Sequence, residues 1–253
     1  MSLLSQNGIS MASDSNVTTR NLEVKESKPY LKTKYFEREC LGVSVWGELT
    51  IAKIDFWNWF EEEIDKFFSA NESRPEFARH LAKVLDSVLT EENKRLPKTG
   101  KKQLGIHLAF FCEKNGAYRP SIFHVTNKKE NGEITRFMAQ PDRYPLSREA
   151  LSFYLINGAY EPFSDVREDY KRFIGKIRKK FKKLGNENTK ATVTDLKRED
   201  LLKNECESLI ATIRLYQAIM ELEGIKKFIG GNINAVCFTE KELVKNYRVP
   251  IFN

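Results

Sequence analysis

Residues 7–18 read Asn-Gly-Ile-Ser-Met-Ala-Ser-Asp-Ser-Asn-Val-Thr, and they predict that the chain opens with an antiparallel sheet. Asn7-Gly8 is a strong hairpin signal, because a type I′ turn needs φ > 0 at both of its central residues. The dipeptide lies between a short apolar run, Leu3-Leu4, and the strand-like segment Ile9–Ala12. Two further short strands are predicted soon afterwards, over Pro29–Tyr35 and Cys40–Val45.

The next segment changes from strand to helix periodicity. Asp55 precedes FWNWFEEEIDKFF (56–68), whose apolar residues recur at the spacing of one helix face behind an aspartate cap. Pro75 suits the first turn of a second helix that runs to about Leu89. The polar, lysine-rich stretch Glu91–Gln103 is predicted to be a loop.

Strands return in the middle of the chain, and helices dominate after it. Strands are predicted over Gly105–Lys114 and Ser121–Asn127, on either side of the turn signal Asn115-Gly116. Because strands and helices are grouped rather than alternating, they predict α+β layers in one domain over residues 1–253, with 240–253 as a C-terminal tail. The remaining predicted elements are helices over Ser147–Ile156, Asp165–Leu184 and Leu196–Lys227, the last with a break near Lys203-Asn204, and a strand over Ile233–Thr239.

The composition is typical of a soluble globular protein. The 253 residues carry a formal net charge of +7, a modest excess that favours anionic partners without specifying nucleic acid. No apolar stretch approaches the roughly 18 residues of a membrane span, and no signal-peptide pattern is present, so we expect a cytoplasmic location. The cysteines form no CxxC pair, which argues against a disulfide scaffold and favours free thiols.

Four short motifs follow one another along the chain. Residues 8–18 resemble the pattern Gly-hydrophobic-Ala-x-Asp-Ser-x-x-Thr, and GVSVWGE (42–48) ends a strand with a glycine shortly before a helix. GAYRPSIFHV (116–125) and IGGNINAV (229–236) mark two later strands. In this order and at these spacings, the set resembles the motifs of proteasome-type subunits in the N-terminal nucleophile hydrolase superfamily. Each motif alone is weak, so their order carries the resemblance.

The resemblance implies a four-layer αββα sandwich, with two antiparallel sheets face to face and helices on each outer face. It also implies hydrolysis of peptides or other amides by a Thr, Ser or Cys at the mature N-terminus, whose own α-amine takes the proton. By their positions in the motifs, Asp14 and Lys28, with Lys32 as the second choice, would tune that site, and the N–H of Gly47 would stabilise the oxyanion. No metal or cofactor is implied, whereas assembly into a homo-oligomer is.

The first strand decides whether a nucleophile is present. With a turn at Asn7-Gly8, Asp14 would lie opposite Met1, and the nucleophile of the family would fall upstream of Met1. Three alternatives stay open: the chain is truncated, the protein never had a nucleophile, or removal of Met1 exposes Ser2 with its own α-amine. A threonine- or serine-type amidohydrolase or peptidase is therefore conditional on the mature N-terminus.

His107 and His124 lie on the two strands of one predicted hairpin, where the register can bring them opposite each other. Neither has a carboxylate or thiol partner within sequence reach. We therefore predict hydrogen-bonded strand histidines rather than a metal pair.

A basic segment points to a different function. Residues 171–184 carry eight basic residues in fourteen, with apolar residues at helical spacing. One interpretation is the solvated outer face of a helix, and another is a surface that binds phosphate backbones or an acidic partner. The second interpretation makes the protein a non-catalytic scaffold or binding protein that holds an anionic partner such as nucleic acid through Arg178, Lys179, Lys180, Lys182 and Lys183.

Overall fold

The fold combines antiparallel sheets with three described helices. The computed structural model describes residues 1–15, 30–70, 73–96, 102–114, 116–127, 129–130, 133–134, 136–142, 152–155, 197–222 and 231–250. The helices are α1 Phe56–Phe68, α2 Arg74–Lys94 and α3 Arg198–Leu222. The strands are β1 Ser2–Ser5, β2 Ile9–Asp14, β3 Thr33–Phe36, β4 Leu41–Gly47, β5 Thr50–Ile51, β6 Ile54–Asp55, β7 Leu104–Lys114, β8 Ala117–Thr126, β9 Lys129–Glu130, β10 Glu133–Ile134, β11 Met138–Asp142, β12 Ser152–Leu155, β13 Asn232–Phe238 and β14 Leu243–Pro250.

Two five-stranded antiparallel sheets form the framework. The first sheet has the strand order β12-β1-β2-β13-β14, so strands from both chain ends lie side by side in it. The second sheet has the order β11-β8-β7-β4-β3, built around the long β7–β8 hairpin. Two small hairpins, β5–β6 and β9–β10, complete the described strands.

The helix predictions from the first half of the chain are confirmed. The carboxylate of Asp55 accepts a hydrogen bond from the backbone N–H of Trp57, which caps α1 as its sequence indicates. α2 has Pro75 in its first turn, with the hydroxyl of Ser73 accepting from the N–H of Glu76. This helix continues to Lys94, so it includes the start of the polar stretch that was predicted to be a loop.

Three predictions from the second half are corrected. α3 runs unbroken through Lys203-Asn204, where a break was predicted. Ser152–Leu155 is a strand paired with β1, although the sequence predicts the end of a helix there. The segment named as a C-terminal tail contains β14, whose pairing with β13 places it at the edge of the first sheet.

Apolar side chains form three clusters because successive residues of a strand point to opposite sides of its sheet. In the second sheet, Val43 and Ile106 face α1 and α2, where they form one cluster with Phe60 of α1 and Leu81 of α2. In the first sheet, Leu3, Ala12, Ile233, Ala235 and Cys237 contact α3, principally through Leu202, Cys206 and Leu209. The alternate residues of both sheets meet in a third cluster, formed by Leu4, Ile9, Met11, Val236 and Phe238 on one side and Ala109, Phe111 and Ile122 on the other.

The turn of the first hairpin differs from the predicted one. Leu4 pairs with Ile9 and Ser2 pairs with Met11, so the two residues at the tip are Gln6 and Asn7 rather than Asn7 and Gly8. The hydroxyl of Ser5 accepts hydrogen bonds from the N–H groups of Asn7 and Gly8, at 3.0 and 3.3 Å, which fixes this turn. Ala12 therefore lies opposite Met1, and Asp14 lies two positions further along β2.

The described helices include none that is both long enough and apolar enough to cross a membrane.

Candidate functional site

One part of the space between the two sheets is lined by polar side chains. Ser2 and Ser13 reach it from the first sheet, and the second sheet contributes polar residues from β3, β4, β7 and β8. The alternation of the strands puts these residues on the same sides as the third apolar cluster. Buried polar groups need hydrogen-bond partners, so this region is organised by specific pairs. The polar residues of the second sheet in this region are Thr33, Ser44, His107 and His124.

A serine–histidine pair bridges the two sheets. The Ser2 Oγ lies 3.1 Å from the Nδ1 of His107, and both residues are only 1% exposed. When Nδ1 carries no proton, the serine hydroxyl donates to it, and a histidine in that state can accept the serine proton during a reaction. The geometry thus has the first element of an activated nucleophile, a hydroxyl within hydrogen-bond reach of a base.

A second histidine and a tryptophan lie beside this pair. His107 and His124 are directly opposite in the β7–β8 register, with their ring centroids 5.0 Å apart in an edge-on arrangement, which confirms that they face each other. The ring of Trp46 lies 6.4 Å from that of His124. Gly105 makes this position of the indole possible, since a Cβ at Gly105 would lie 2.1 Å from the Trp46 ring.

A chain of hydroxyl groups crosses between the sheets near the same place. The Oγ1 of Thr33 lies 2.7 Å from the Oγ of Ser13 in the first sheet and 3.2 Å from the Oγ of Ser44 in its own sheet. Thr33 therefore couples the β3–β4 edge to the strand that carries Asp14.

The α-amine of Met1 is a buried titratable group. It donates a hydrogen bond to the Ala12 carbonyl at 2.6 Å. Burial lowers the pKa of this amine from 8.0 to about 6, an effect that the negative charge of Asp14 opposes and the positive charge of Lys32 reinforces. At neutral pH the amine is therefore mostly unprotonated and able to accept a proton.

Asp14 and Lys32 form an ion pair next to that amine. The Nζ of Lys32 lies 3.1 Å from the Oδ1 of Asp14, and the two side chains are 15% and 18% exposed. Lys32, the second choice of the sequence analysis, is thus the described lysine that pairs with Asp14. Lys28, the first choice, lies outside the described residues.

Gly47 ends β4, opposite Leu104. Its φ is +87°, and a Cβ there would lie 2.3 Å from the carbonyl oxygen of Gln103, so this position requires glycine.

The corrected register of the first hairpin places Ser2 opposite Met11, which lies three positions before Asp14 along β2.

The other residues singled out from the sequence lie elsewhere. Arg178, Lys179, Lys180, Lys182 and Lys183 all fall outside the described residues. Within the described part of the chain, no group of three or more His, Cys, Asp or Glu residues could hold a metal ion.

The Ser2–His107 contact was missed by sequence reasoning. Its two residues are 105 positions apart, and no local pattern links the first strand to β7. The available sequence signal for this contact was the pair of opposed histidines, because it places a polar residue, His107, on the strand that faces Ser2.

Comparisons with known proteins leave the family open. No protein-family model matches the chain, and no curated protein matches it. One solved structure with a similar arrangement is Anbu (ancestral beta-subunit) from Yersinia bercovieri. It is 12% identical, with a TM-score of 0.49, and the match covers 98% of this chain and 86% of that one.

These findings overturn the family assignment drawn from the four motifs. No family model and no curated relative matches the chain, so the comparisons do not support membership of the N-terminal nucleophile hydrolase superfamily. The likeness to Anbu is too weak to restore the assignment or to indicate an activity. Short motifs of common residues fit the strand ends of many sheets, which is why their order alone was insufficient.

Proposed function

We propose that the protein hydrolyses amide bonds, with Ser2 as the nucleophile in the form of the chain from which Met1 has been removed. The observation that carries this proposal is the 3.1 Å contact between the Ser2 hydroxyl and the His107 imidazole. The proposal includes a four-layer αββα sandwich with Ser2 at the inner surface of one sheet, and the packing of helices on each sheet supports it.

In the proposed reaction the Ser2 Oγ attacks the carbonyl carbon of the substrate, and its proton passes to Nδ1 of His107. The amide C–N bond then breaks, and the same proton goes to the departing amine. The acyl group remains as an ester on Ser2 until water attacks it, and the proton of that water restores the serine hydroxyl. The newly exposed α-amine of Ser2 is a second base available for these transfers.

The remaining candidate residues have supporting roles in this proposal. Asp14 and Lys32 form a fixed ion pair next to the start of β1, and they set the electrostatic potential around the α-amine. Lys28 remains an alternative for the same role. The N–H of Gly47 is proposed as the oxyanion donor because a glycine with positive φ allows close approach of a substrate to the backbone.

The test compares two forms of the chain that differ only by Met1. A protein beginning at Ser2 is prepared with an aminopeptidase, and both forms are treated with an electrophile that acylates active serines. We expect stable labelling of Ser2 in the shorter form alone, located by mass spectrometry of the N-terminal peptide.

Two variants make this test specific. Ser2→Ala and His107→Gln should abolish labelling, whereas Ser10→Ala should preserve it, because Ser10 is an equally buried serine on the neighbouring strand. Equal labelling of the Met1 and Ser2 forms, or labelling that persists in Ser2→Ala, would rule out Ser2 as the nucleophile.

The burial of Ser2 favours one other function. Since this residue is only 1% exposed and β1 is paired on both sides, the same structure suits a non-catalytic scaffold or binding protein. In that proposal the basic segment 171–184 holds an anionic partner such as nucleic acid, and the protein works as a homo-oligomer.

Salt-titrated binding to a nucleic acid tests this second proposal. The affinity should fall steeply with salt concentration, and it should be lost when Arg178, Lys179, Lys180, Lys182 and Lys183 are neutralised together. An affinity that neither salt nor the substitutions change would reject it, and sedimentation of the same samples would report the oligomeric state.

A further inference from the structure

Two free cysteines lie in one buried cluster on elements that pack together. Cys206 is on α3 and Cys237 is on β13, and both are fully buried. They belong to the apolar cluster that joins α3 to the first sheet. The other two cysteines, Cys40 and Cys112, are partly exposed and lie outside this cluster.

The hydrogen bonds of the residues beside Cys206 fix where it points. Glu205 reaches the tip of the first hairpin, accepting from the hydroxyl of Ser5 at 2.7 Å and the amide of Asn7 at 2.8 Å. Glu207 reaches in the other direction, accepting from the hydroxyl of Tyr247 on β14 at 3.3 Å. Because β2 and β13 lie between β1 and β14, the side chain of Cys206 is directed at the middle of the sheet, where Cys237 lies.

The two thiols have different tendencies to ionise. The interaction between the two thiols raises the pKa of Cys206 and lowers that of Cys237. A backbone hydrogen bond from Lys245 and the charge of Lys203 act in the same direction on Cys237, against burial and the charge of Glu205. Cys237 is therefore the better attacking thiolate, and Cys206 is the thiol beside it.

We propose that Cys206 and Cys237 are a modification site at which a hydroperoxide forms a disulfide between α3 and β13. The Cys237 thiolate attacks the peroxide, the O–O bond breaks, and Cys237 becomes a sulfenic acid as the peroxide leaves as an alcohol or water. The Cys206 sulfur then attacks the Cys237 sulfur and displaces its hydroxyl as water. Two thiols and one hydroperoxide thus give one disulfide, one alcohol or water, and one further water.

The disulfide would have a physical effect on the fold. It would join the helix to the strand that neighbours the first hairpin, and it would constrain the unfolded chain by closing the loop between positions 206 and 237. The first effect would restrain α3 against the sheet that contains the Ser2 hairpin, and the second would stabilise the folded state as a whole. The proposal does not depend on catalysis by Ser2.

The experiment uses the full chain with Cys40→Ser and Cys112→Ser, so that only the buried pair remains. The protein is treated with hydrogen peroxide, denatured, alkylated, digested and analysed by mass spectrometry. We expect a peptide that links Cys206 to Cys237, loss of both alkylation sites, and a melting temperature raised by roughly 5–10 °C and restored by dithiothreitol.

Two single variants test the roles of the sulfurs. In the same background, Cys206→Ser should leave a sulfenic acid on Cys237 that dimedone traps, whereas Cys237→Ser should leave Cys206 unmodified under the same conditions. Retention of two alkylatable thiols after peroxide treatment, or further oxidation of either cysteine without a linked peptide, would overturn the proposal. Either result is independent of the labelling test on Ser2.

Discussion

The space between the two sheets has an apolar part and a polar part that are held together differently. In the apolar part the ring of Phe238 packs against Tyr35 and Phe111, with centroid distances of 4.8 and 6.1 Å. In the polar part, Ser2 contacts His107 and Thr33 contacts Ser13, at 3.1 and 2.7 Å. Both parts join the same two sheets, so they can be compared directly.

The comparison separates stability from function. Burial of apolar area stabilises the fold without any directional requirement, whereas each buried hydroxyl or imidazole needs a partner and adds little net free energy. A sheet interface that needed only stability could be apolar throughout. The polar part is therefore the region where the sequence departs from the pattern that favours stability, and such departures are expected at functional sites.

The largest effect should come from the apolar part. Phe238→Ala removes a fully buried ring and leaves a cavity between the sheets, which we expect to lower the free energy of unfolding by about 3–5 kcal/mol. Urea denaturation measures this change. A loss below about 1 kcal/mol would mean that the apolar part does not hold the sheets together, and it would contradict the assignment of stability to that part.

The second effect is a pH dependence that originates at the buried α-amine of Met1, in the form of the chain that keeps this residue. The Met1 amine has a pKa of about 6 in the folded protein and 8.0 as its reference value, so the unfolded chain binds more protons between these pH values. Stability should therefore rise by roughly 2 kcal/mol from pH 6 to pH 8, and this gain should be lost as the pH falls through that range. Denaturation at a series of pH values measures it.

Acetylation of the amine provides the control, because an acetylated N-terminus no longer titrates. Substitutions of its two charged neighbours should act in opposite directions: Lys32→Met should reduce the pH dependence and Asp14→Asn should increase it. An unchanged pH dependence in the acetylated protein would assign it to other groups.

A smaller effect distinguishes two buried serines. Ser2→Ala removes the hydroxyl that pairs with the buried His107, and we expect a loss of about 1–3 kcal/mol. The Ser10 hydroxyl has no hydrogen-bond partner within the part of the chain that the structure describes, so Ser10→Ala should be neutral or slightly stabilising. If both variants lose the same stability, the Ser2–His107 contact contributes nothing specific.

Local features of the fold could be predicted from the sequence, whereas features set by distant contacts could not. The Asp55 cap and the helical spacing of its following residues predicted α1 correctly, because both signals lie within a few residues. The Asn7-Gly8 signal misplaced the turn, because the Ser5 hydroxyl and Glu205, from a distant helix, fix the tip at Gln6-Asn7. β14 has a polar edge-strand composition, and only its pairing with β13 makes it a strand.

The candidate site shows the same limit. Asp14 and a lysine near the third strand were identified from motif positions, and the structure pairs Asp14 with Lys32. The Ser2–His107 contact depends on how two sheets pack, a property that no spacing along the chain encodes. The motifs suggested a family that the comparisons do not support, since short patterns record local turns rather than descent.

The most direct test of the proposed catalytic role is the identity of the first residue in protein purified from its native cells. Intact mass and N-terminal sequencing give that residue without any assumption about substrate. The account predicts a chain that begins at Ser2 with a free α-amine. A chain that keeps Met1, or carries a blocked N-terminus, would contradict it and leave the basic segment 171–184 as the first place to look for function.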